Sequence, residues 1–230
     1  MNLFEFDKSF NKIIVGTDEA GRGPAAGGVF ASAVFINDTS IEKDLAKLND
    51  SKKLSKKVRE ELYDVILNNT INSTICVEVD EIEKYNILNC SLKAMKLACE
   101  NVINQLTSCH SELVSESYQL ENGKIIDKNL LTIVDGNKLI RNYTYPQQFI
   151  IKGDGKSASI ASASILAKVT RDRYMDKLDE EFPQYNWKKN AGYLTKEHQK
   201  AILKYGVTKY HRKSFLKKLL NPEPKQLSLI

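Results

Sequence analysis

Residues 13–24 read IIVGTDEAGRGP and combine a short apolar, β-prone run with two adjacent carboxylates and a Gly-Arg-Gly turn. The apolar run is typical of a buried strand, so Asp18 and Glu19 are predicted to lie at its end. The glycines of the turn would let the backbone approach a sugar or a phosphate closely. Because consecutive strand residues point to opposite faces, the two acids can share a metal site only where the strand twists or ends.

Around this stretch the hydrophobic pattern predicts alternating strands and helices. Strands are predicted at residues 12–17, 28–36, 74–79, 130–134 and 148–152, and helices at residues 56–67, 79–106 and 156–182. The helical pattern over 79–106 fits one long helix or two short ones. This order predicts an α/β fold with a mixed sheet and helices on its faces. The first three strands are too closely connected to be all parallel.

Composition narrows the class of protein. The 230 residues are 42% apolar, and 34 basic residues against 29 acidic ones give a net charge of +5. A modest basic excess favours a polyanionic partner, although a solvated surface explains it equally well. The four cysteines form no C-x-x-C pair, which predicts reduced, mostly buried thiols. No signal peptide or 18-residue apolar stretch is recognisable, so we expect a cytoplasmic protein without a membrane span.

Two further predicted strands also end in acids, Asp135 and Asp154. Taken singly, such an acid is a turn former, and Asp154 is equally a candidate N-cap of the following helix. If these ends converge with Asp18 and Glu19, the carboxylates would repel one another unless divalent cations neutralise them. Oxygen ligands with few histidines suit Mg²⁺ or Mn²⁺. Two such ions are a known arrangement for phosphodiester hydrolysis.

Two phosphate-binding patterns are present only superficially. Residues 21–26 fit G-x-G-x-x-A, but a strand follows them where a dinucleotide site needs a helix. Residues 155–157, Gly-Lys-Ser, resemble the end of a P-loop, yet Ile150 stands where that motif needs glycine. Neither pattern supports a nucleotide site.

Other candidate ligands are scattered along the chain. His110, His198 and His211 do not have metalloprotease spacing, and His198 is expected on a helix surface. Asp172 and Asp176 are expected on the solvated face of the long helix beside basic neighbours that include Arg171, with Asp172 as a reserve carboxylate.

Six motifs along residues 12–216 resemble those of bacterial ribonuclease HII. They are DEAGRGP (18–24), DSKKLS (50–55), IVDG (133–136), KGD (152–154), SASILAKVTRDR (162–173) and GYLTKEH (192–198). Ribonuclease HIII is less similar, because its motif lacks the Gly-Arg-Gly turn and it carries an extra N-terminal domain. The resemblance implies an RNase H-like mixed five-stranded sheet flanked by helices, with a C-terminal helical extension. We expect a catalytic domain over 1–182 with a polar insertion at 107–129, the extension over 183–220 and a flexible tail over 221–230.

The resemblance also implies an activity and its residues. It implies cleavage of RNA strands in RNA–DNA hybrids and cutting at single ribonucleotides in duplex DNA, leaving 3′-hydroxyl and 5′-phosphate ends. The implied catalytic, metal-binding acids are Asp18, Glu19, Asp135 and Asp154, with two Mg²⁺ or Mn²⁺ ions. The implied readers of the ribonucleotide 2′-hydroxyl are Gly21, Arg22, Gly23 and Tyr193. Basic residues that could contact phosphates are Lys52, Lys53, Lys168 and Arg171.

The tail residues 226–230, QLSLI, resemble the peptide with which bacterial proteins bind the DNA sliding clamp, with Ile in place of Phe. An ordinary terminus is the alternative. We expect a monomer. The alternatives for the whole chain are another two-metal nuclease of the same fold, such as a junction resolvase, and a non-catalytic protein that binds hybrids.

Overall fold

The structure is a computed structural model that describes residues 2–37, 39–49, 51–109, 117–119, 125–127 and 129–221. Its strands are β1 (Ile13–Ala20), β2 (Val29–Phe35), β3 (Ile71–Val77), β4 (Ser117–Gln119), β5 (Ile125–Asp127), β6 (Leu130–Asp135) and β7 (Gln147–Ile150). Its helices are α1 (Leu3–Lys8), α2 (Lys56–Asn69), α3 (Val79–Tyr85), α4 (Ile87–Cys109), α5 (Ala158–Glu181), α6 (Trp187–Asn190), α7 (Lys196–Tyr205) and α8 (Lys217–Leu220).

A mixed five-stranded sheet forms the centre of the fold, in the order β3-β2-β1-β6-β7. The first three strands pair antiparallel, whereas β1 pairs parallel with β6 and β6 with β7. The predicted α/β sheet with helices on its faces is therefore confirmed. Because β1 and β6 run in the same direction in the middle of the sheet, their carboxyl ends lie side by side.

Helices cover both faces of this sheet. Helix α4 packs its buried residues against β1, β2 and β3, and α5 lies on the opposite face with α2. At Gly16 in β1, a Cβ atom would lie 2.4 Å from the backbone carbonyl carbon of Ser159, so only glycine permits this approach. The first turn of α5 is thereby held directly against the strand that carries Asp18.

The C-terminal helices form a smaller core of their own. Trp187, Ile202 and Leu216 pack there against Met175 and Leu178 from the second half of α5. Ala25 and Ala26, which follow the Gly-Arg-Gly turn, are buried in the same core. The helical extension is thus attached to the catalytic part through that loop, and its division from residues 1–182 stays a prediction.

Several predicted bounds differ from the structure. β3 begins at Ile71, and Val79, predicted as its last residue, starts α3. Two helices fill residues 79–109, because Asn86 at φ 65° interrupts the helical pattern. Within the polar insertion expected over 107–129, the described residues form regular structure: α4 continues to Cys109, and β4 pairs antiparallel with β5.

The start of α5 also corrects one interpretation of Asp154. Ser157 is the N-cap, and its hydroxyl accepts a hydrogen bond from Ile160 N at 3.1 Å. Asp154 lies earlier, in a single 3₁₀ turn, Gly153–Gly155. The carboxylate is therefore not used as the helix cap. By contrast, Ser55 caps α2, as its position directly before the helical pattern at 56–67 indicates.

Candidate active site

Three predicted acids lie at the carboxyl ends of the two central parallel strands. Asp18 and Glu19 are the sixth and seventh residues of β1, and Asp135 is the last residue of β6. The strands stay in register to the pair Thr17 and Val134, which places Asp18 next to Asp135. β1 itself does not end at the acids, since it continues to Ala20 along β2.

Asp18 is the buried member of this group, with 5% of its surface exposed. Burial raises the pKa of its carboxyl well above the ordinary value, and the charges of Glu19 and Asp135 raise it further. Hydrogen bonds from Ser164 and from the backbone N–H of Glu19, at 2.7 Å, favour the charged form. The Ser164 hydroxyl also contacts that of Ser51 at 2.9 Å, which links the 50–55 motif to the acid.

Asp154 approaches the same edge from the turn after β7. Asp135 Oδ1 accepts a hydrogen bond of 2.6 Å from Gly153 N, so the carboxylate of β6 holds the turn that carries Asp154. Both acids line a cleft of about 670 Å³. Asp135 also borders a small cavity of about 80 Å³ with Glu19. Asp135 therefore lies between the acids of β1 and the acid of the turn.

These acids offer carboxylate oxygens only. Within the described residues, no three or more His, Cys, Asp or Glu side chains are already arranged as a metal site. The electrostatics nonetheless fit a divalent cation, because a cation would offset the burial of Asp18 and the like charges of Glu19 and Asp135 beside it. Mg²⁺ and Mn²⁺ match this set of hard oxygen donors.

A buried arginine that the sequence did not single out holds the backbone of the Gly-Arg-Gly turn and of the residues that follow it. Arg212 donates hydrogen bonds to four carbonyls of residues 22–28, those of Arg22, Pro24, Gly27 and Gly28, at 2.8–3.3 Å. Its side chain is fully buried, and burial lowers its pKa to about 10. The loop therefore has a fixed conformation beside the acids.

Tyr193 meets this turn directly. A Cβ atom at Gly23 would lie 3.3 Å from Cε1 of the Tyr193 ring, so glycine leaves room for the ring. Gly192 O accepts a hydrogen bond of 2.9 Å from Ala25 N, which attaches the tyrosine's segment to the loop. About half of the Tyr193 side chain is exposed. Gly23 and Tyr193 are far apart in the sequence, and the structure brings these two predicted substrate-binding elements together.

The predicted basic contacts have different surroundings. Lys53 lines the cleft with Asp154, whereas the side chain of Lys52 lies outside the described part of the structure. Lys168 pairs with Asp172. Arg171 was wrongly placed on the solvated face of α5: it is buried, and it donates to Ala26 O at 3.2 Å. It therefore supports the loop and does not reach a phosphate.

Two lysines that the sequence did not indicate, Lys152 and Lys156, line the cleft with Lys53. The sequence feature that could have indicated them is their position on either side of Asp154. The expectation that His198 lies on a helix surface is also wrong, because it is fully buried beside His211. Asp50 and the tail residues 226–230 lie outside the described residues.

A family model described as ribonuclease HII matches residues 15–218. The chain belongs to the ribonuclease HII family. Ribonuclease HII of Rickettsia bellii strain OSU 85-389 is 46% identical over 220 residues, which cover 95% of this chain and 98% of that protein.

Two solved structures share the fold of this chain. The ribonuclease H2 of Pyrococcus horikoshii OT3 matches with a TM-score of 0.64 at 23% identity, covering 90% of this chain and 96% of that one. A PCNA:RNase HII complex from Archaeoglobus fulgidus matches with a TM-score of 0.57 at 23% identity, covering 94% and 98%.

Membership of the ribonuclease HII family establishes the general activity. The chain is a type II ribonuclease H, a hydrolase that acts on RNA–DNA hybrids, and the family depends on divalent metal ions. Among the described residues, no helix is long and apolar enough to cross a membrane.

Proposed function

We propose that this ribonuclease also cuts on the 5′ side of single ribonucleotides embedded in duplex DNA, leaving 3′-hydroxyl and 5′-phosphate ends. The contact between Tyr193 and Gly23, beside the acids of β1, carries this proposal. At such a site the 2′-hydroxyl is the only group that distinguishes the target nucleotide from its neighbours. The backbone of Gly21, Arg22 and Gly23 would contact that hydroxyl, while the Tyr193 ring stacks on the following deoxyribose.

Four acids would carry the chemistry: Asp18, Glu19, Asp135 and Asp154 as ligands of two divalent ions, Mg²⁺ or Mn²⁺. When bound, the ions activate a water and stabilise the leaving 3′-oxygen of the phosphodiester. The chain itself orients these ligands, since Asp135 is fixed by Gly153 N and Asp18 by Glu19 N.

Basic residues would hold the substrate backbone near the acids. Lys53, Lys152 and Lys156 line the cleft that contains Asp135 and Asp154, where they would attract phosphates. Lys52 and Lys168 are proposed as further phosphate contacts. Binding through these lysines should weaken as salt concentration rises, since it depends on released counterions.

A cleavage assay with one end-labelled duplex tests the proposal. The duplex contains one ribonucleotide, and an all-DNA duplex of the same sequence is the control. We expect a single cut 5′ to the ribonucleotide that requires Mg²⁺ or Mn²⁺, and no cut in the control. Cleavage of a long hybrid without any cut in the one-ribonucleotide duplex would refute the proposal, and it would leave the general activity intact.

The tyrosine has a matched control in the same helical region. Tyr193→Ala should lower cleavage at the single ribonucleotide by about tenfold relative to a long hybrid, because a stacking contact of roughly 1–2 kcal/mol is lost. Tyr205, which is equally exposed at 53% against 52%, provides the control Tyr205→Ala. Equal ratios for the two variants would reject the role of Tyr193.

Membership of an enzyme family disfavours the alternative of a non-catalytic hybrid-binding protein. Cleavage of the one-ribonucleotide duplex would distinguish this chain from a junction resolvase.

We also propose that residues 226–230 bind the DNA sliding clamp. The Archaeoglobus complex supports this, because there a ribonuclease HII is assembled with PCNA. Capture by immobilised clamp should be lost in Leu229→Ala. Equal capture of both proteins would leave the tail an ordinary terminus.

A further inference from the structure

The helical extension contains a buried pair of histidines outside the proposed active site. The Nε2 atoms of His198 and His211 lie 3.2 Å apart. The indole N–H of Trp187 donates to His198 Nε2 at 3.1 Å, and the backbone N–H of Thr208 donates to His211 Nδ1 at 2.9 Å. Both imidazoles are almost completely buried.

These partners determine where the imidazole protons lie. The carbonyl of Tyr193, 2.9 Å from His198 Nδ1, can only accept, so His198 carries its proton on Nδ1. Thr208 N–H can only donate, so His211 carries its proton on Nε2 and donates it to His198 Nε2. Every ring nitrogen is then satisfied with both imidazoles neutral. Burial lowers the pKa of both residues, in agreement with this arrangement.

The pair connects the two elements proposed to read the 2′-hydroxyl. His198 holds the carbonyl of Tyr193. On the other side, His211 forms a β-bridge with Ala26, and its neighbours extend that contact: Gly27 N donates to Tyr210 O and Arg212 N to Ala25 O. The hydrogen bond between the imidazoles thus spans from the tyrosine segment to the loop that follows the Gly-Arg-Gly turn.

We propose that His198 is a positioning residue for ribonucleotide recognition: by bonding to the Tyr193 carbonyl and to His211, it keeps the Tyr193 ring against Gly23. This inference rests on the proposed function of Tyr193. The carbonyl also accepts a hydrogen bond from Thr195 N at 2.8 Å, so loss of His198 should tilt the tyrosine segment without releasing it. The consequence is altered selectivity with the acids undisturbed.

Two substitutions separate the hydrogen bond of His198 Nδ1 to Tyr193 from the hydrogen bonds at its Nε2. In His198→Asn the amide can still donate from the position of Nδ1 to Tyr193 O, whereas in His198→Gln the amide oxygen can replace Nε2 and the donor to Tyr193 is lost. The measured quantity is the ratio of kcat/KM for the one-ribonucleotide duplex to kcat/KM for a long hybrid. We expect His198→Gln to lower this ratio about tenfold, since small misplacements of binding groups have effects of this size. His198→Asn should stay within about threefold of the native ratio.

A double variant tests whether His198 acts through the tyrosine. In the Tyr193→Ala background there is no ring to position, so adding His198→Gln should leave the ratio unchanged. Ile202→Ala is the control for lost stability, because Ile202 is buried in the same helix, α7. This control should lower the melting temperature without changing the ratio.

The inference is overturned if the Asn and Gln variants change the ratio equally, if the Gln effect adds in full to Tyr193→Ala, or if Ile202→Ala reproduces it. Failure of the proposed function has a different signature. There, Tyr193→Ala alone would leave the ratio at its native value, and the premise of the inference would fall with it.

Discussion

Arg212 offers a direct test of how the Gly-Arg-Gly loop is held. Arg212→Met keeps much of the side-chain volume but removes the donors to the carbonyls of Arg22, Pro24, Gly27 and Gly28. Gly28 O retains a bond from Arg171 at 3.4 Å. The other three carbonyls each lose about 1–2 kcal/mol, and roughly 1–2 kcal/mol is regained because a buried charge is removed. We therefore expect a net loss of about 3 kcal/mol in the free energy of unfolding.

Urea unfolding followed by circular dichroism measures this loss for Arg212→Met. The matched control is Arg173→Met, because Arg173 pairs with Glu60 near the surface, where 46% of its side chain is exposed. An exposed ion pair contributes about 1 kcal/mol or less. If Arg212→Met cost no more than the control, the buried arginine would not be what holds the loop. Under conditions where the variant stays folded, cleavage at single ribonucleotides should fall more than cleavage of hybrids.

Three further predictions concern stability and charge. Gly16→Ala should lower the free energy of unfolding by about 2–3 kcal/mol, because the methyl group would overlap the backbone at Ser159; Gly155→Ala, which meets nothing within 4 Å, should change it by less than about 0.5 kcal/mol in the same urea titration. Asp18→Asn should abolish cleavage and leave hybrid binding largely intact. It should also stabilise the metal-free protein at pH 7 by about 1–2 kcal/mol, because it removes a buried carboxyl whose pKa is raised. Cleavage retained in a gel assay, or a lower melting temperature, would contradict this prediction. Burial beside His198 lowers the pKa of His211 to about 4, so the stabilising contribution of the neutral His211 imidazole is complete above pH 6.5 and is lost as the pH falls toward 4. The native protein should therefore lose about 2 kcal/mol more than His211→Gln between pH 6.5 and pH 5, and parallel stability curves would refute this prediction.

The features that could be predicted from the sequence are those that depend on local pattern. The strand ending in Asp18 and Glu19 and the strand ending in Asp135 follow from short apolar runs, and Ser55 follows from its position before a helical pattern. Parallel neighbours then bring the strand ends together at one edge of the sheet. The acids at the strand ends and the mixed character of the sheet could therefore be predicted, whereas the strand order β3-β2-β1-β6-β7 could not.

The supports of the loop could not be predicted, because their partners are distant and ordinary. Arg171 and Arg212 look like surface charges in the sequence, yet both bind backbone carbonyls of a loop 145 and 185 residues away. A backbone carbonyl has no sequence signature, so nothing in the sequence indicates which arginine will donate a hydrogen bond to it. His198 was misplaced for a related reason: its partner His211 lies 13 residues further on, beyond the end of α7.

The proposed catalytic acids and the proposed reader of the 2′-hydroxyl therefore belong to different parts of the chain, which meet at one loop. The acids depend on β1, β6 and the turn after β7, whereas Tyr193 depends on the helical extension. Because Arg212 and the backbone around Ala26 attach the extension to the loop, we expect a change in the extension to disturb the contact between Tyr193 and Gly23 more than the carboxylate of Asp18. Substitutions in the extension should accordingly alter which nucleotide is cut, while substitutions at the strand ends should alter whether any is cut.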